Sequence, residues 1–131
     1  MSMGRNFITA AISTTGFQLA APASNTSTLT GSAVDILNID GPMLVTQSVG
    51  TVSGTTPTWD GKIQDSADGS TDWQDVSGAT FTQVTASTNL QAIKLEASQV
   101  RRYIRYVGTI GGTSTPTFPV AVSAWGRKAA V

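Results

Sequence analysis

Turn-forming residues interrupt this chain about every eight to twelve positions. The clearest turns contain Asp40-Gly41-Pro42, Asp68-Gly69-Ser70 and Gly111-Gly112. This spacing leaves room only for short strands and is typical of β-sandwiches and barrels. No window of about eleven residues carries apolar residues at helical spacing. The turn spacing therefore predicts an all-β fold.

Alternation of apolar and polar residues locates the strands. Trp59, Gly61 and Ile63 alternate with polar residues, and the chain returns after the Asp68-Gly69-Ser70 turn. Residues 118–124 place an apolar side chain at every second position. We count eight or nine such segments, which predicts a single β-sandwich of jelly-roll or immunoglobulin-like type. The strand order stays open.

The N-terminal part of the chain has a different composition. Residues 13–31 are rich in Ser, Thr and small residues, which favours a loop or an extended arm. We therefore expect an N-terminal arm, with a first strand and loop, over residues 1–31. The sandwich domain is expected over residues 32–131.

The absence of two residue types excludes much chemistry. The sequence has no Cys and no His, so disulfides, thiolate catalysis and histidine-dependent triads are ruled out. Asp65, Asp68, Asp72 and Asp75 could hold Ca²⁺, but their spacing departs from calcium loops and hairpin turn chemistry explains Asp68. Paired carboxylates near tryptophans could serve a glycosidase, but nothing marks a raised pKa. We expect no enzyme activity, cofactor or metal.

Charge is sparse and unevenly distributed. The 131 residues hold eight basic and eight acidic side chains, against 20 Thr and 14 Ser. Residues 1–80 have a balance of 2 − 7 = −5, and residues 81–131 a balance of 6 − 1 = +5. In an interleaved sandwich these charges neutralise each other. A net charge of zero argues against nucleic-acid binding, and no apolar stretch is long enough to span a membrane.

Two groups of side chains could form a binding surface. Arg101, Arg102 and Arg105 alternate with aromatic residues and could pair with the hairpin aspartates, bind carboxylates of a protein partner, or bind nucleic acid. Tyr, Trp and Arg dominate protein interfaces. The tryptophans could instead form a platform for sugars, although a sandwich Trp is more often a core residue.

Part of the sequence resembles a known family. The matching segments are SADGSTDWQDV (66–76), GATFT (78–82), RRYIRYVGTIGG (101–112) and TFPVAVSAWGRK (117–128). These resemble small β-sandwich decoration, or cement, proteins of tailed bacteriophages. The resemblance implies a trimer on the capsid exterior that binds the major capsid protein and stabilises contacts between its subunits. It implies synthesis in the host cytoplasm and a location on the virion. The pattern S-x-D-G-S-x-x-W, followed later by R-Y-I-R, also resembles discoidin-like carbohydrate-binding domains. This chain lacks the paired cysteines that are common in many of those domains.

Two functions follow from these observations. The first is a structural capsid decoration protein, and the alternative is a glycan-binding module on a virion surface or tail. A tail-tube or baseplate subunit is a third hypothesis. For the first, we expect partner contacts through the N-terminal arm and the arginine strand, at residues Phe7, Phe17, Leu19, Arg101, Arg102 and Arg105. Replacing Phe17 and Leu19 by Ser is expected to weaken shell binding without unfolding the domain.

Overall fold

The structure is a computed structural model that describes residues 14–128. Eight strands and one short 3-10 helix were assigned in this range. In chain order they are β1 (Thr14–Asn25), β2 (Leu29–Thr30), β3 (Val34–Asp35), β4 (Ile39–Val49), β5 (Ser53–Ser66), β6 (Gln74–Thr80), β7 (Asn89–Glu96), the 3-10 helix (Ala97–Gln99) and β8 (Tyr103–Lys128). Across residues 14–128 no helix is both long enough and apolar enough to cross a membrane.

The strands form two antiparallel sheets that share β8. The first sheet has the order β1-β8-β4-β7 and uses residues 118–128 of β8. The second sheet places residues 103–117 of β8 between β5 on one side and the short strands β2 and β3 on the other, with β6 beyond β5. The predicted all-β sandwich is confirmed.

The core lies between the two sheets. Trp59 of β5 and Phe118 of β8 pack there with ring centroids 5.4 Å apart. Every second residue from 118 to 124 is buried, as the alternation predicted. Further buried apolar side chains come from both sheets: Leu19, Met43, Val45, Ile63, Phe81, Ile104, Tyr106, Val120 and Val122. The alternation of inward and outward residues fixes which side chains of each strand remain at the surface.

A chain of polar groups crosses this core. The Trp59 indole Nε1–H donates to the Tyr106 hydroxyl oxygen at 2.7 Å. The Tyr106 hydroxyl in turn donates to the Gln47 Oε1. All three side chains are fully buried. Trp59 on β5 and Tyr106 on β8 belong to the second sheet, whereas Gln47 lies on β4 of the first sheet. These hydrogen bonds therefore link the two sheets.

A ribbon of two similar segments lies where β8 passes from one sheet to the other. In each segment a glycine packs against the proline of the other segment. A Cβ added at Gly54 would lie 2.6 Å from the Pro116 Cα. A Cβ added at Gly112 would lie 2.9 Å from the Pro57 Cα. Only glycine permits this reciprocal approach. The segments are TVSGTTPTW (51–59) and TIGGTSTPTF (109–118).

Three expectations about individual elements were wrong. Asp40-Gly41-Pro42, expected as a turn, lies within β4, where the pairing with β8 is shifted between Asp40 and Met43. Residues 14–25, expected as a loop or arm, form β1, which pairs with β8 from Thr14 opposite Arg127 to Asn25 opposite Phe118. Residues 103–128 form one continuous strand instead of two strands joined by a loop. The division at residue 31 stays a prediction, and residues 1–13 lie outside the described part of the chain.

Candidate interaction surface on the first sheet

The outward side of the first sheet carries the largest exposed aromatic side chain of the described residues. Trp125 of β8 is 50 % exposed, and Leu44 of β4, directly opposite it, is 48 % exposed. Small or hydroxyl-bearing residues dominate the rest of this side, which we call the outer face. It comprises Gly16 and Gln18 of β1, Ala121, Ser123, Trp125 and Arg127 of β8, Leu44, Thr46 and Ser48 of β4, and Leu90, Ala92 and Lys94 of β7.

Gly16 determines how the Trp125 ring lies on this face. Gly16 is opposite Trp125 in the pairing of β1 with β8. A Cβ added at Gly16 would lie 2.3 Å from the Trp125 Cζ3 and 2.4 Å from its Cε3. The indole therefore rests on the Gly16 backbone, with half of its surface open to solvent. Any larger residue at position 16 would have to displace the ring.

A shallow groove runs beside this ring. It has a volume of about 400 Å³, and its walls are mostly apolar. Leu44 lies between Trp125 and Lys94 in the cross-strand pairing, so that the three side chains form one row across β8, β4 and β7. We call this the Trp125 groove. Its lining residues are Thr14, Pro42, Met43, Leu44, Lys94, Trp125, Gly126 and Arg127.

The outward side of the second sheet is different, because its polar groups bind each other. The Lys62 Nζ lies 3.0 Å from the Asp75 carboxylate, and the Gln64 amide donates to the same carboxylate at 2.9 Å. The Gln64 Oε1 accepts from the Arg105 Nε at 2.9 Å, and the Arg105 guanidinium lies 4.2 Å from the centroid of the Trp73 ring. The Gln64 and Lys62 hydrogen bonds lower the pKa of Asp75. A partner would have to break this network to use these groups.

The remaining predicted arginines are also engaged within the chain. Arg101 contacts the carboxylates of Asp65 at 2.9 Å and Asp72 at 3.0 Å, and it also donates to the main-chain oxygens of both residues. Arg102 pairs with Asp35 at 2.8 Å, and its hydrogen bond lowers the pKa of that carboxyl. The sequence had left this intramolecular pairing open as an alternative to partner contact. These pairs join the acidic first part of the chain to its basic second part.

The predicted contacts in the N-terminal arm are only partly accessible. Leu19 is 2 % exposed and belongs to the core. Its burial argues against the predicted surface contact, which stays a prediction, and replacing it by Ser is expected to destabilise the fold. Phe17 is half-buried and packs against the core from β1. Phe7 lies outside the described residues.

The acidic residues considered for metal binding have structural partners. The Asp68 carboxylate accepts hydrogen bonds from the main-chain N–H groups of Thr71 and Ser70, at 2.8 and 2.9 Å, and these bonds strongly lower its pKa. Asp65 and Asp72 bind Arg101, as described above. Over residues 14–128, no cluster of three or more carboxylates is arranged to hold a metal ion. Turn hydrogen bonds explain Asp68, and ion pairs with Arg101 explain Asp65 and Asp72.

The sequence pattern left open which of the three tryptophans is exposed. Trp59 is buried in the core, Trp73 is covered by Arg105, and Trp125 is open. The phase of β8 contained the necessary signal. Since Phe118 and Ala124 share the inward phase, Trp125 must point outward.

Comparison with known proteins identifies similar folds but no sequence family for this chain. No protein-family model and no curated protein matches the chain. A chain from infectious bursal disease virus, strain Gx, is similar with a TM-score of 0.53 and 14 % identity, covering 86 % of this chain and 30 % of the viral chain. A chain from T=1 particles derived from infectious bursal virus has a TM-score of 0.50 and 14 % identity, covering 88 % and 36 %.

A third similar structure is a carbohydrate-binding module, CBM4. Its TM-score is 0.43 at 10 % identity, covering 88 % of this chain and 71 % of that one, and it supports no conclusion. The present chain spans about a third of the length of the viral chains. The comparisons support an all-β sandwich fold similar to that of part of these viral chains.

Proposed function

We propose that this protein is a structural virion protein that binds the outside of an assembled phage capsid and stabilises contacts between major capsid subunits. The observation that carries the proposal is the contrast between the two sheets. Within residues 14–128, the Trp125 and Leu44 side chains of the outer face stay about half exposed, whereas the second sheet uses its polar groups internally. The resemblance to phage decoration proteins and the capsid-like fold support the same function.

This function needs no catalytic group. A protein that binds only the assembled shell stabilises that shell by mass action, in proportion to ln(1 + [L]/Kd). The outer face carries apolar and small side chains, three hydroxyl groups and only two charges. Such a face costs little to desolvate, because burying a hydroxyl is cheaper than burying an ion. We include trimeric self-association in the proposal, as the family resemblance implies, with no nucleic-acid or membrane partner.

The test is co-sedimentation of the full chain with expanded phage heads that lack this protein. We expect saturation at a fixed ratio to the major capsid protein and a higher melting temperature of the shell. Leu44→Ser is expected to weaken binding. Leu37→Ser is the matched control, because Leu37 is also exposed but lies in the turn between β3 and β4. Failure of the wild-type protein to bind heads would contradict the proposed function.

A carbohydrate-binding function is the second candidate, because the open Trp125 ring has the planar surface on which a sugar ring can stack. Under this alternative the isolated protein binds oligosaccharides saturably. A glycan array identifies candidate sugars, and titration of the protein with such a sugar is followed by tryptophan fluorescence. Together these measurements distinguish the two functions. Binding that is lost in Trp125→Ala, together with no binding to heads, would favour the carbohydrate-binding module.

A further inference from the structure

The Trp125 groove combines an apolar floor with cations that have no partner among the described residues. Lys94 and Arg127 line it, and no carboxylate from residues 14–128 does. The four ion pairs found within residues 14–128 involve other cations: Lys62, Arg101 and Arg102. The groove therefore differs from the arginine strand, in which Arg101 and Arg102 are already neutralised.

The nearest carboxylates along the strands do not neutralise these two cations. Asp40 is opposite Arg127 in the pairing of β4 with β8, and Glu96 follows Lys94 by two residues on β7. Neither carboxylate lies within 4.0 Å of a basic nitrogen in the described residues. Two basic side chains beside an apolar floor favour an occupant that carries both negative charge and an apolar side chain.

We propose that the Trp125 groove binds an acidic segment of a protein partner, with carboxylates at Lys94 and Arg127 and an apolar side chain seated between Trp125 and Leu44. This inference rests on the proposed function and specifies the chemistry of the capsid surface that the outer face contacts. Gly16 supports it, because the ring lies flat only above a glycine and so leaves the groove open. The paired cations of the second sheet offer no equivalent site.

The first test uses heads that lack the protein. The double variant Lys94→Gln with Arg127→Gln is expected to bind about 3- to 30-fold more weakly, because each exposed charge pair contributes a few tenths to one kcal/mol. The wild-type protein is expected to lose affinity as salt rises and the double variant to lose less, since salt screens exposed charges. The matched control, Lys62→Gln with Arg102→Gln, removes two cations elsewhere and should bind like the wild type.

The wild-type protein could bind heads tightly, with an affinity that neither the double substitution nor added salt changes. That result would overturn the acidic-partner inference and leave the proposed function standing. A second probe decides the inference if the wild type does not bind heads. Poly-L-glutamate is titrated into the ¹⁵N-labelled full chain while the indole N–H signals of Trp59 and Trp125 are followed by NMR.

In this titration we expect the Trp125 signal to shift, the buried Trp59 signal to stay constant, and the shift to be lost in the Lys94 and Arg127 double variant. No shift, or shifts that centre on residues 101–105, would overturn the inference. A parallel titration with oligogalacturonate covers the carbohydrate alternative. Saturable binding of that sugar with no response to poly-L-glutamate would identify an acidic glycan as the occupant and refute the protein partner.

Discussion

Replacing Tyr106 by Phe tests the hydrogen-bonded chain in the core. The substitution keeps the ring and removes one hydroxyl, so that little apolar packing is lost. It leaves the Trp59 indole N–H without an acceptor and the Gln47 Oε1 without a donor, both fully buried. An unsatisfied buried polar group costs about 1–3 kcal/mol. Since the variant also avoids burying the hydroxyl itself, we expect a net loss of about 2–4 kcal/mol in the free energy of unfolding.

The measurement is urea unfolding followed by tryptophan fluorescence, with the midpoint and slope compared between variants. The slope should not change, because the two proteins expose the same surface on unfolding. Tyr103→Phe is the control: Tyr103 is partly exposed, and its ring contacts Arg102, so this change should cost less than about 0.5 kcal/mol. A Tyr106→Phe protein within 0.5 kcal/mol of the wild type would show that the chain of hydrogen bonds contributes little.

The same residue predicts a loss of stability in alkali. Burial raises the pKa of Tyr106 above its ordinary value. Above about pH 10 the unfolded chain releases the Tyr106 hydroxyl proton while the folded protein retains it. The contribution of Tyr106 to the free energy of unfolding is therefore fully present below that pH and falls above it. Linkage gives a loss of about 1 kcal/mol between pH 10 and pH 11. Tyr106→Phe should lack this component, and identical pH curves for the two proteins would contradict it.

Two further substitutions test the ribbon and the hairpin. Gly112→Ala should cost about 2–4 kcal/mol in urea unfolding, since the new Cβ meets the Pro57 Cα at 2.9 Å and φ is +116°. Gly41→Ala, at φ +79° with no atom within 4 Å, should cost only about 1–2 kcal/mol, and equal losses would argue against close packing in the ribbon. For Asp68, whose pKa is lowered by main-chain N–H groups, the stabilisation is present above about pH 4 and is lost as pH falls further. Unfolding of Asp68→Asn between pH 5 and pH 2.5 should therefore show a shallower acid slope than the wild type, and parallel slopes would refute the role of this carboxylate.

Local pattern was enough to predict the central strands. In β5 and in the second half of β8, one face meets the core and the other meets solvent, so apolar and polar residues alternate in the sequence. Asp68 and Gly69 identified their hairpin because tight turns need residues that tolerate its backbone conformation. These features depend on neighbours close in sequence, so they were predictable from the sequence.

Features set by distant contacts were not predictable in this way. β1 contains Ala, Pro and Gly, and it becomes a strand because it adds to the edge of β8, more than 90 residues away in the chain. The continuity of β8 through Gly111 and Gly112 depends on the reciprocal packing of those residues against β5. The partners of Arg101 and Arg102 likewise come from other elements, so that composition allowed both internal pairing and partner binding.

Contacts within the chain determine which side of the sandwich is better suited to the proposed partner. Covering the second sheet would remove water from charged groups such as Lys62 and Arg105 that already have partners, so that a new contact would add desolvation cost without a matching gain. Covering Trp125 and Leu44 removes apolar surface from water, worth about 25 cal/mol per Å², and gives Lys94 and Arg127 their first counter-charges among the described groups. Burial of the outer face is therefore favourable, whereas burial of the outward side of the second sheet is unfavourable. An interface that used the arginine strand instead would have to supply better partners for Arg101 than the two carboxylates and two main-chain oxygens it contacts within its own chain.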